Sequence, residues 1–370
     1  MSDLGLFALL GQHAPPIPPS SRFGIDQLLP QISSIPATNP LWLGVEIDVL
    51  ALGDADSILV SFWSAVGACR VLIDAGTARD GPRVASKISS LGIARLDHVV
   101  CTHPHNDHSG GLATILQDTR FSIGQFWVHR PWKYIDLNSV RANLGSTGLE
   151  IVAGVLESMD NLIRLERVAA SRSIPTSEPF YGRSVGPLQI LGPTEAFYQS
   201  RLIEFTDFSR LVDYDEQMRK YDVSQLAKAL FDNTSADETL SGGPTEPENE
   251  SCVILSYTHG SNRFLFTADA GVNALGEVIR RTDLRNLYWM QVPHHGSGRN
   301  LTTDFIKHLR PQFAAISASG DEKHPRRSVV SGLKKVGSKI FSTHHPQYSD
   351  MRFFLGAVPT RPGYIDMAAM

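Results

Sequence analysis

The chain has 370 residues, of which 42% are hydrophobic and 19% are charged, and its formal net charge is -4 with a pI near 6.3. This composition is typical of a globular protein with one large domain or two small ones. It argues against a broad basic coat for non-specific nucleic-acid binding, although a local basic groove is compatible with it. The three scattered cysteines do not suggest a disulfide framework, and no apolar run is as long as a membrane span. We therefore expect a cytoplasmic protein with no membrane segment.

The first 40 residues are rich in proline and serine, most densely at 14–20. Proline clusters favour extended backbone, so residues 1–40 are predicted to form a Pro-rich N-terminal arm. Such an arm packs on its own domain or on a partner, which allows a protein partner or a homo-oligomer. Residues 41–370 are then predicted to form the domain itself.

The first half of the domain reads as strands followed by alternating helices and strands. Alternating apolar residues predict three strands over 43–50, 57–63 and 69–74, then a helix over 80–91 and a strand over 96–101. A helix over 112–118 and a strand over 121–129 follow. This order predicts an α/β layered fold, with helices covering a sheet.

Four metal-binding side chains stand within six positions, directly after the strand at 96–101: His103, His105, Asp107 and His108. Imidazole and carboxylate are ligands that zinc, manganese and iron accept, and sheet folds build sites where strands end. The alternative is a polar surface loop, which four such residues between a buried strand and a helix make the weaker interpretation. The segment therefore predicts a metal site, with room for a second ion beside the first.

The middle of the chain is predicted to be a helical insertion at about 135–245. Helical spacing covers 137–171 and 195–232, with a short strand at 188–191 and a loop over 233–249. Helices of this kind cover the mouth of a site and select substrates, or they are merely structural.

Polar residues recur at strand ends in the second half. A predicted hairpin over 251–257 and 263–267 leads to Asp269, and a strand over 287–292 leads to His294 and His295. A buried carboxylate is costly unless a cation pairs with it, so Asp269 is predicted to be a metal ligand. One of the two histidines is predicted to be a ligand, and we favour His294. On a later loop, His324 is either a general acid or oxyanion stabiliser, or a plain surface histidine.

Two carboxylates in the first half of the chain, Asp74 and Asp54, are interpreted differently. Asp74 ends a strand near the predicted metal pocket, where it can orient a ligand from behind. Asp54 lies on a turn and is interpreted as a solvated carboxylate.

These motifs resemble those of the metallo-β-lactamase superfamily, whose signature is His-x-His-x-Asp-His. The resemblance extends over about 44–344 and includes, in the expected order, Thr267–Asp269, His294–Ser297 and His324–Pro325. Within the superfamily, the chain is similar to the hydrolase domain of the ComEC DNA-uptake proteins and to their stand-alone soluble relatives. The resemblance implies a fold of the α/β (α+β) class, a four-layer αββα sandwich with a helical insertion.

The resemblance also implies two divalent metal ions, with zinc as the first expectation and manganese as the alternative. It assigns His103 and His105 to the first metal, makes Asp269 the bridge, and leaves Asp107 or His295 to transfer protons. The second metal takes Asp107, His108 and His294. Many members carry a further histidine about 20 residues before the bridging aspartate. This chain has none there, so Asn249 or Glu250 replaces it or the first metal has an open position.

The implied activity is hydrolysis by a metal-bridging hydroxide. The first expectation is a phosphodiesterase or nuclease acting on nucleic acid or nucleotides. The alternatives are a hydrolase of another ester, thioester, lactone or amide, and a metal-binding interaction module with little catalysis. A nuclease needs a basic track to the metals, whereas a small-molecule enzyme needs a closed apolar pocket. The candidates for the track are Arg130, Lys133, Arg299, Arg326 and Arg327.

Overall fold

A computed structural model of the chain describes residues 42–134, 159–205, 240, 242–321, 323–344, 350–359 and 365–367. The predicted N-terminal arm lies outside the described residues, as do large parts of the predicted helical insertion. None of the helices in the described ranges has the length and apolar character needed to cross a bilayer.

Two β-sheets form the centre of the described structure. The first sheet has the strand order β15-β14-β1-β2-β3-β4-β5-β6, and the second has the order β13-β12-β11-β10-β9-β8-β7. The strands of the first sheet are β1 Gly44–Val49, β2 Ile58–Ser64, β3 Gly67–Ile73, β4 Arg95–Val100, β5 Ser122–Trp127, β6 Thr176–Ser177, β14 Met351–Gly356 and β15 Ile365–Asp366. The strands of the second sheet are β7 Ser184–Val185, β8 Leu188–Gly192, β9 Ile254–His259, β10 Asn262–Phe266, β11 Trp289–Gln291, β12 Phe313–Ile316 and β13 Lys339–Ser342.

Helices lie on the outer face of each sheet. The helices are α1 Gly81–Ser90, α2 Asn106–Ser109, α3 Leu112–Gln117, α4 at 159–171, α5 Glu195–Phe205, α6 Pro247–Glu250, α7 Val272–Arg281, α8 Thr303–Leu309 and α9 Arg327–Lys335. Their amphipathic spacing buries one stripe of each helix; in α7, for example, Ala274, Leu275, Val278 and Ile279 face the sheet.

Three hydrophobic clusters show the layers directly. The first cluster joins the facing sides of both sheets, for instance Ile47 and Phe62 with Phe264 and Trp289. A second cluster packs α7, α8 and α9 on the outer face of the second sheet, and a third packs α1, α3 and α4 on the outer face of the first. Because each sheet alternates its side chains, it buries apolar residues on both faces. The predicted four-layer αββα sandwich is therefore confirmed.

Two parts of the chain join the sheets in ways that the sequence analysis did not predict. Residues 176–192, inside the predicted helical insertion, supply β6 to the first sheet and β7 and β8 to the second, so this part belongs to the sandwich; of the three strands only β8 matches a predicted strand, the one at 188–191. Near the C-terminus, β14 pairs antiparallel with β1, with Met351 opposite Val49 and Leu355 opposite Val45.

The strand directions bring several strand ends to one place. Strands β3 to β6 run parallel to one another, as do β10 to β13. The carboxyl ends of β3, β4, β10 and β11 are followed by Asp74, the segment 101–111, Asp269 and the His294–His295 turn. Parallel strands gather such loops at one edge, where α/β proteins build their sites.

Candidate metal centre

The histidine-rich segment after β4 is packed tightly against the end of β3. The helix α2 begins directly after His105, so that Asp107 and His108 lie in a helical turn. The amide of Gly111 donates to the carbonyl of Gly76 at 2.9 Å. A Cβ atom on Gly111 would lie 2.1 Å from the carbonyl oxygen of Ala75, so only glycine allows this close approach.

The predicted donors form two groups that share Asp269. The first group contains His103, His105 and Asp269, and the second contains Asp107, His108, Asp269 and His295; within each, one donor atom per residue lies within 4.8 Å of all the others. The structure therefore contains a candidate cluster for binding divalent metals.

The first group lies on the Oδ2 side of Asp269. His103 Nε2 is 3.1 Å from His105 Nδ1 and 4.0 Å from Asp269 Oδ2. Two nitrogens that each lie about 2.0 to 2.1 Å from one tetrahedral metal are separated by slightly more than 3 Å, so the histidine pair has ligand spacing.

The second group lies on the Oδ1 side. His108 Nε2 is 3.2 Å from Asp269 Oδ1 and 3.7 Å from Asp107 Oδ2. His295 Nε2 is 3.3 Å from the same Asp107 oxygen. These distances are those expected between donors around one ion.

The prediction that His294 completes the second group does not match this geometry. Both histidines have positive φ angles, 48° and 54°, and their ring centroids lie 5.8 Å apart with an interplanar angle of 80°. His295 reaches the second group, whereas His294 Nε2 lies 3.7 Å from Asp269 Oδ2 and belongs to neither group. His294 thus adjoins the oxygen that His103 also approaches.

Each of the five imidazoles is held from behind through its other ring nitrogen. The oxygen partners are Thr102 Oγ1 for His103 (3.1 Å), Glu246 Oε2 for His105 (2.9 Å), Asp74 Oδ2 for His108 (2.9 Å), Asn300 Oδ1 for His294 (3.1 Å) and the Ser317 carbonyl for His295 (3.1 Å). When the outer nitrogen donates its proton to oxygen, the neutral form of each ring presents a lone pair on its inner nitrogen to the centre. Outer partners of this kind fix the orientation of metal-binding histidines. Asp74 lies where the sequence predicted it.

Two buried atoms lack the partner that a cation would supply. Among the residues that the structure describes, neither His108 Nε2 nor Asp269 Oδ1 forms a hydrogen bond; both atoms are buried and lie 3.2 Å apart. Burial opposes a charge on His108, but Asp269 and Asp107 raise the pKa of its imidazole well above the usual value. The carboxylates therefore favour a positive charge at this point. The donor set fits divalent cations.

Burial and the neighbouring charged groups also shift the pKa values of two neighbouring imidazoles, His295 and His103. Burial opposes the charged form of His295, yet Asp269 and Asp107 raise its pKa to about 9. Burial, together with His108 and His105, holds the pKa of His103 well below its usual value. His103 is thus neutral, which is the form that binds metal.

The structure also distinguishes the two predicted replacements for the missing histidine. Glu250 is buried and accepts hydrogen bonds from the backbone N–H groups of Asn273 and Ala274 at the start of α7, so its carboxylate is already used. Asn249 Nδ2 donates to Thr245 Oγ1 and lies 3.3 Å from His294 Nδ1. Asn249 therefore lies next to His294, behind its ring.

His324 lies beside the centre, as the sequence predicted, and its partner is Asp54. The His324 ring centroid is 5.6 Å from that of His294 and 5.7 Å from that of His295. Asp54 Oδ2 lies 3.3 Å from His324 Nδ1. The interpretation of Asp54 as a solvated turn carboxylate is thus wrong, because the fold brings a loop from the other sheet onto it.

Two candidates for the basic track are paired with carboxylates. Arg130 forms an ion pair with Glu166, and Lys133 Nζ lies 3.1 Å from Glu178 Oε2. Glu246, whose side chain is 41% exposed, adds negative charge beside His105. These contacts reduce the positive charge that Arg130 and Lys133 offer to a polyanion.

Sequence reasoning missed three side chains that support the centre. Gln291 accepts from the backbone N–H groups of Thr267 and Ala268, both at 3.1 Å, and donates to Asp56 Oδ2 at 2.8 Å. Gln291 is a polar side chain in the apolar strand β11, and this pattern could have indicated a supporting role. Glu246 and Asn300 gave no such signal, because each stands among other polar residues.

Comparison with known proteins supports the resemblance. Residues 53–161 match the model of the metallo-beta-lactamase superfamily, which confirms the predicted relationship over the part of the chain that carries the histidine motif. ComE operon protein 3 of Bacillus subtilis (strain 168) is 26% identical over 130 residues, which are 35% of this chain and 16% of that protein. Recombination protein 2 of Haemophilus influenzae is 34% identical over 97 residues, 26% of this chain and 12% of that protein. The matched regions thus cover less than a fifth of either relative.

Solved structures that are similar to the chain include two of low sequence identity. The metallo-beta-lactamase fold protein YhfI from Bacillus subtilis gives a TM-score of 0.42 at 12% identity, covering 84% of this chain and 99% of that one. A diphosphatase from the PhnP family gives a TM-score of 0.39 at 10% identity, covering 85% and 99%.

Proposed function

We propose that the chain is a binuclear metal-dependent hydrolase that cleaves phosphodiester bonds. The observation that carries this proposal is the pair of donor groups on the two oxygens of Asp269. Two divalent cations bound there would supply an activated water nucleophile and positive charge for the transition state. Asp269 belongs to both donor groups and would help to hold both ions, whose charge would favour attack at phosphorus.

The metals that we propose are zinc first and manganese second. The donor set consists of imidazoles and carboxylates without a thiolate, and Cys101 and Cys252 are buried free thiols outside both groups. Imidazole with carboxylate is compatible with either ion, so the choice is a matter for metal analysis.

The chain's own residues provide orientation and hydrogen bonding around the cations. Asp74 orients the ring of His108, and Glu246 orients the ring of His105. His324, which is outside the donor groups, is free of the ligand role and faces the same space. We assign it a contact with substrate oxygen. A proton-transfer role for Asp107 or His295 stays a prediction.

Within the phosphodiesters, we favour nucleotides and other short substrates over long nucleic acid. Long polyanions require a continuous basic path, whereas Arg130 and Lys133 are engaged by Glu166 and Glu178. The acidic Glu246 beside His105 adds repulsion. Hydrolysis of other esters, thioesters, lactones or amides is the competing proposal, and binding through the N-terminal arm stays a prediction.

The test combines metal analysis with a substrate panel. The purified protein is analysed for zinc and manganese, then assayed on bis-p-nitrophenyl phosphate, a dinucleotide and single-stranded DNA. Asp269→Ala is compared with Asp283→Ala, a control at an exposed ion pair with Arg285. We expect about two metals per wild-type chain, and loss of both metals and cleavage in Asp269→Ala alone, by about 1,000-fold or more.

Other outcomes are equally informative. Two metals without phosphodiester cleavage would move the proposal to another ester class. A wild-type chain that binds no zinc or manganese and cleaves no ester would contradict the hydrolase proposal and favour an interaction module.

A further inference from the structure

The helix α4 is joined to the histidine-rich segment by two polar side chains outside both donor groups, Asn161 and Ser109. Asn161 lies in α4, and its Nδ2 amide contacts the hydroxyl oxygen of Ser109, the residue after His108. Ser109 is fully buried and Asn161 is half-buried. The two residues are 52 positions apart, so the contact depends on how α4 packs and not on local sequence.

The direction of each hydrogen bond follows from the partners. Asn161 Oδ1 accepts from the guanidinium of Arg164 at 2.9 Å, and a guanidinium can only donate. The amide nitrogen of Asn161 therefore faces Ser109, whose oxygen accepts from it. The Ser109 proton is left for two backbone carbonyls, those of Pro104 and His105, which each lie 2.8 Å from Oγ.

These two carbonyls belong to the peptide groups on either side of the His105 Cα. Holding both of them constrains the φ and ψ angles of His105, which are -57° and 143° at the point where α2 begins. Rotation about either angle would move one carbonyl relative to the other and break the shared contact. Ser109 therefore fixes the backbone from which His105 Nδ1 reaches to 3.1 Å from His103 Nε2.

One of the Ser109 bonds has an ordinary explanation, because a serine in a helix often bonds to a carbonyl of the preceding turn. Ser171 in α4 is such a case, since its hydroxyl donates to the Val168 carbonyl at 2.8 Å. Ser109 differs because it also reaches the Pro104 carbonyl and accepts from a second helix. These additional contacts join α4 to the metal-binding segment.

The other end of α4 is anchored independently. Arg172, directly after the helix, donates to the carbonyls of Leu116 and Asp118 at 2.8 and 3.0 Å, at the end of α3. Between the two ends, Leu162 and Leu165 pack in the third hydrophobic cluster. The helix is therefore held against α3 at one end, while the other end contacts the segment that carries the metal donors.

We propose that Asn161 and Ser109 couple the placement of α4 to cation binding by the first group, with Ser109 as the positioning residue for His105. The inference rests on the metal binding in the proposed function and not on the reaction. Coupling is reciprocal: a contact through which α4 favours metal binding also lets the bound metal stabilise α4. One helix of the predicted insertion thereby gains a defined role at the site.

The first experiment measures metal affinity, with zinc as the probe and manganese if zinc does not bind. Ser109→Ala, Asn161→Leu and the double variant are stripped of metal and compared with wild type by competition with a chelator of known affinity. Asn161→Leu keeps the approximate shape of the side chain and removes the donor. His105→Ala identifies the affinity that belongs to the first group. Ser171→Ala is the matched control, because its hydroxyl bonds within α4.

We expect each single variant to bind the metal of the first group about 10-fold more weakly than wild type. The affinity of the second group, and both affinities in Ser171→Ala, should change by less than about 2-fold. The double variant should be no weaker than Ser109→Ala, because Asn161 acts through Ser109. Wild-type affinity in both single variants, or an equal loss in Ser171→Ala, would overturn the inference.

The second experiment observes the reciprocal effect in the helix itself. Hydrogen exchange of the amides in 159–171 is followed by mass spectrometry with and without the metal. In wild type, the metal should slow this exchange by up to about 10-fold, whereas in Asn161→Leu it should slow it by less than about 2-fold. A contact with a purely structural role would protect α4 equally with and without metal. Equal slowing in the two chains, or none in wild type, would contradict the coupling.

These measurements separate the inference from the proposed function. If affinity and exchange change as expected but no phosphodiester is cleaved, the proposed function fails and the coupling stands. If the metal-loaded chain cleaves phosphodiesters while both single variants keep wild-type affinity, the coupling fails and the proposed function stands. A wild-type chain that binds neither zinc nor manganese would overturn both.

Discussion

The two halves of the metal centre differ in how completely the fold has assembled them. On the Oδ1 side of Asp269, the donors of Asp107, His108 and His295 lie 3.2 to 3.7 Å from their neighbours. On the Oδ2 side, His103 and His105 are 3.1 Å apart, but His103 is 4.0 Å from the carboxylate and His294 belongs to neither group. Here the local motif places two histidines well, whereas the long-range donors complete only the other side. We therefore expect the second group to hold its metal more tightly than the first.

Replacing each of the two adjacent histidines by alanine gives the largest expected difference in metal content and activity. His295→Ala removes a member of the second group, so one metal should be lost and activity should fall by about 100-fold or more. His294→Ala removes a ring outside both groups and should keep about two metals, with a smaller loss of activity. Metal stoichiometry after gel filtration measures the difference. If His294→Ala is the variant that loses a metal, the assignment of the turn is reversed.

The outer partners of the histidines offer a second way to compare the halves. Asp74→Asn weakens the support of His108, and Glu246→Gln weakens that of His105. Asp74 is buried and Glu246 is 41% exposed, so we expect about 10-fold to 100-fold weaker binding of one metal in the first variant and a smaller loss in the second. Competition with a chelator should resolve two metal affinities in wild type and show which one each variant changes. Equal losses would contradict the expected inequality of the halves.

Gln291 tests whether the second half depends on the junction between the sheets. Its amide joins Asp56 of the first sheet to the backbone just before Asp269 of the second, and Gln291→Met leaves those buried groups without partners. Each such loss costs about 1 to 3 kcal/mol, so we expect destabilisation by about 2 to 4 kcal/mol and weaker metal binding. Chemical denaturation with and without zinc measures both effects. A variant with wild-type stability and metal affinity would remove Gln291 from the support of the site.

The sequence predicted the centre best where its geometry is local. Four potential donors within six positions indicate one shared cavity. Asp269 was predicted to be a ligand because it follows a buried strand, where a carboxylate needs a cation. The choice of His294 or His295 as the donor depends on a turn with two positive φ angles, and the residue types at these positions do not predict such angles. The partnership of Asp54 with His324 depends on packing between sheets, and so it was missed.

The layers of the fold were predictable because they follow from local sequence patterns. The edge strands of the sheets were not predictable in this way. Apolar alternation and amphipathic helices show which faces are buried, and this is enough for two covered sheets. Edge strands have weaker patterns: β14 follows a polar segment, and β6 has two residues, so pairing with neighbours and not intrinsic preference defines them.

A pH experiment tests a contribution to stability that lies in β1, outside both halves of the metal centre. Burial and the neighbouring Glu46 raise the pKa of Asp48, in β1, to about 6, although Arg352 and Lys87 act in the opposite direction. A carboxyl whose pKa is raised by folding is protonated more readily in the folded state, so its contribution to stability is fully present below pH 3.8 and is lost as the pH rises through about 6.

Asp48→Asn mimics the protonated form, which keeps an oxygen for Arg352 Nε. We expect the variant to be more stable than wild type at pH 7, by on the order of 2 kcal/mol, and the difference to shrink between pH 6 and pH 4. Urea denaturation of both chains in chelator measures it without bound metal. If the difference between the chains does not change with pH, Asp48 does not titrate in this range.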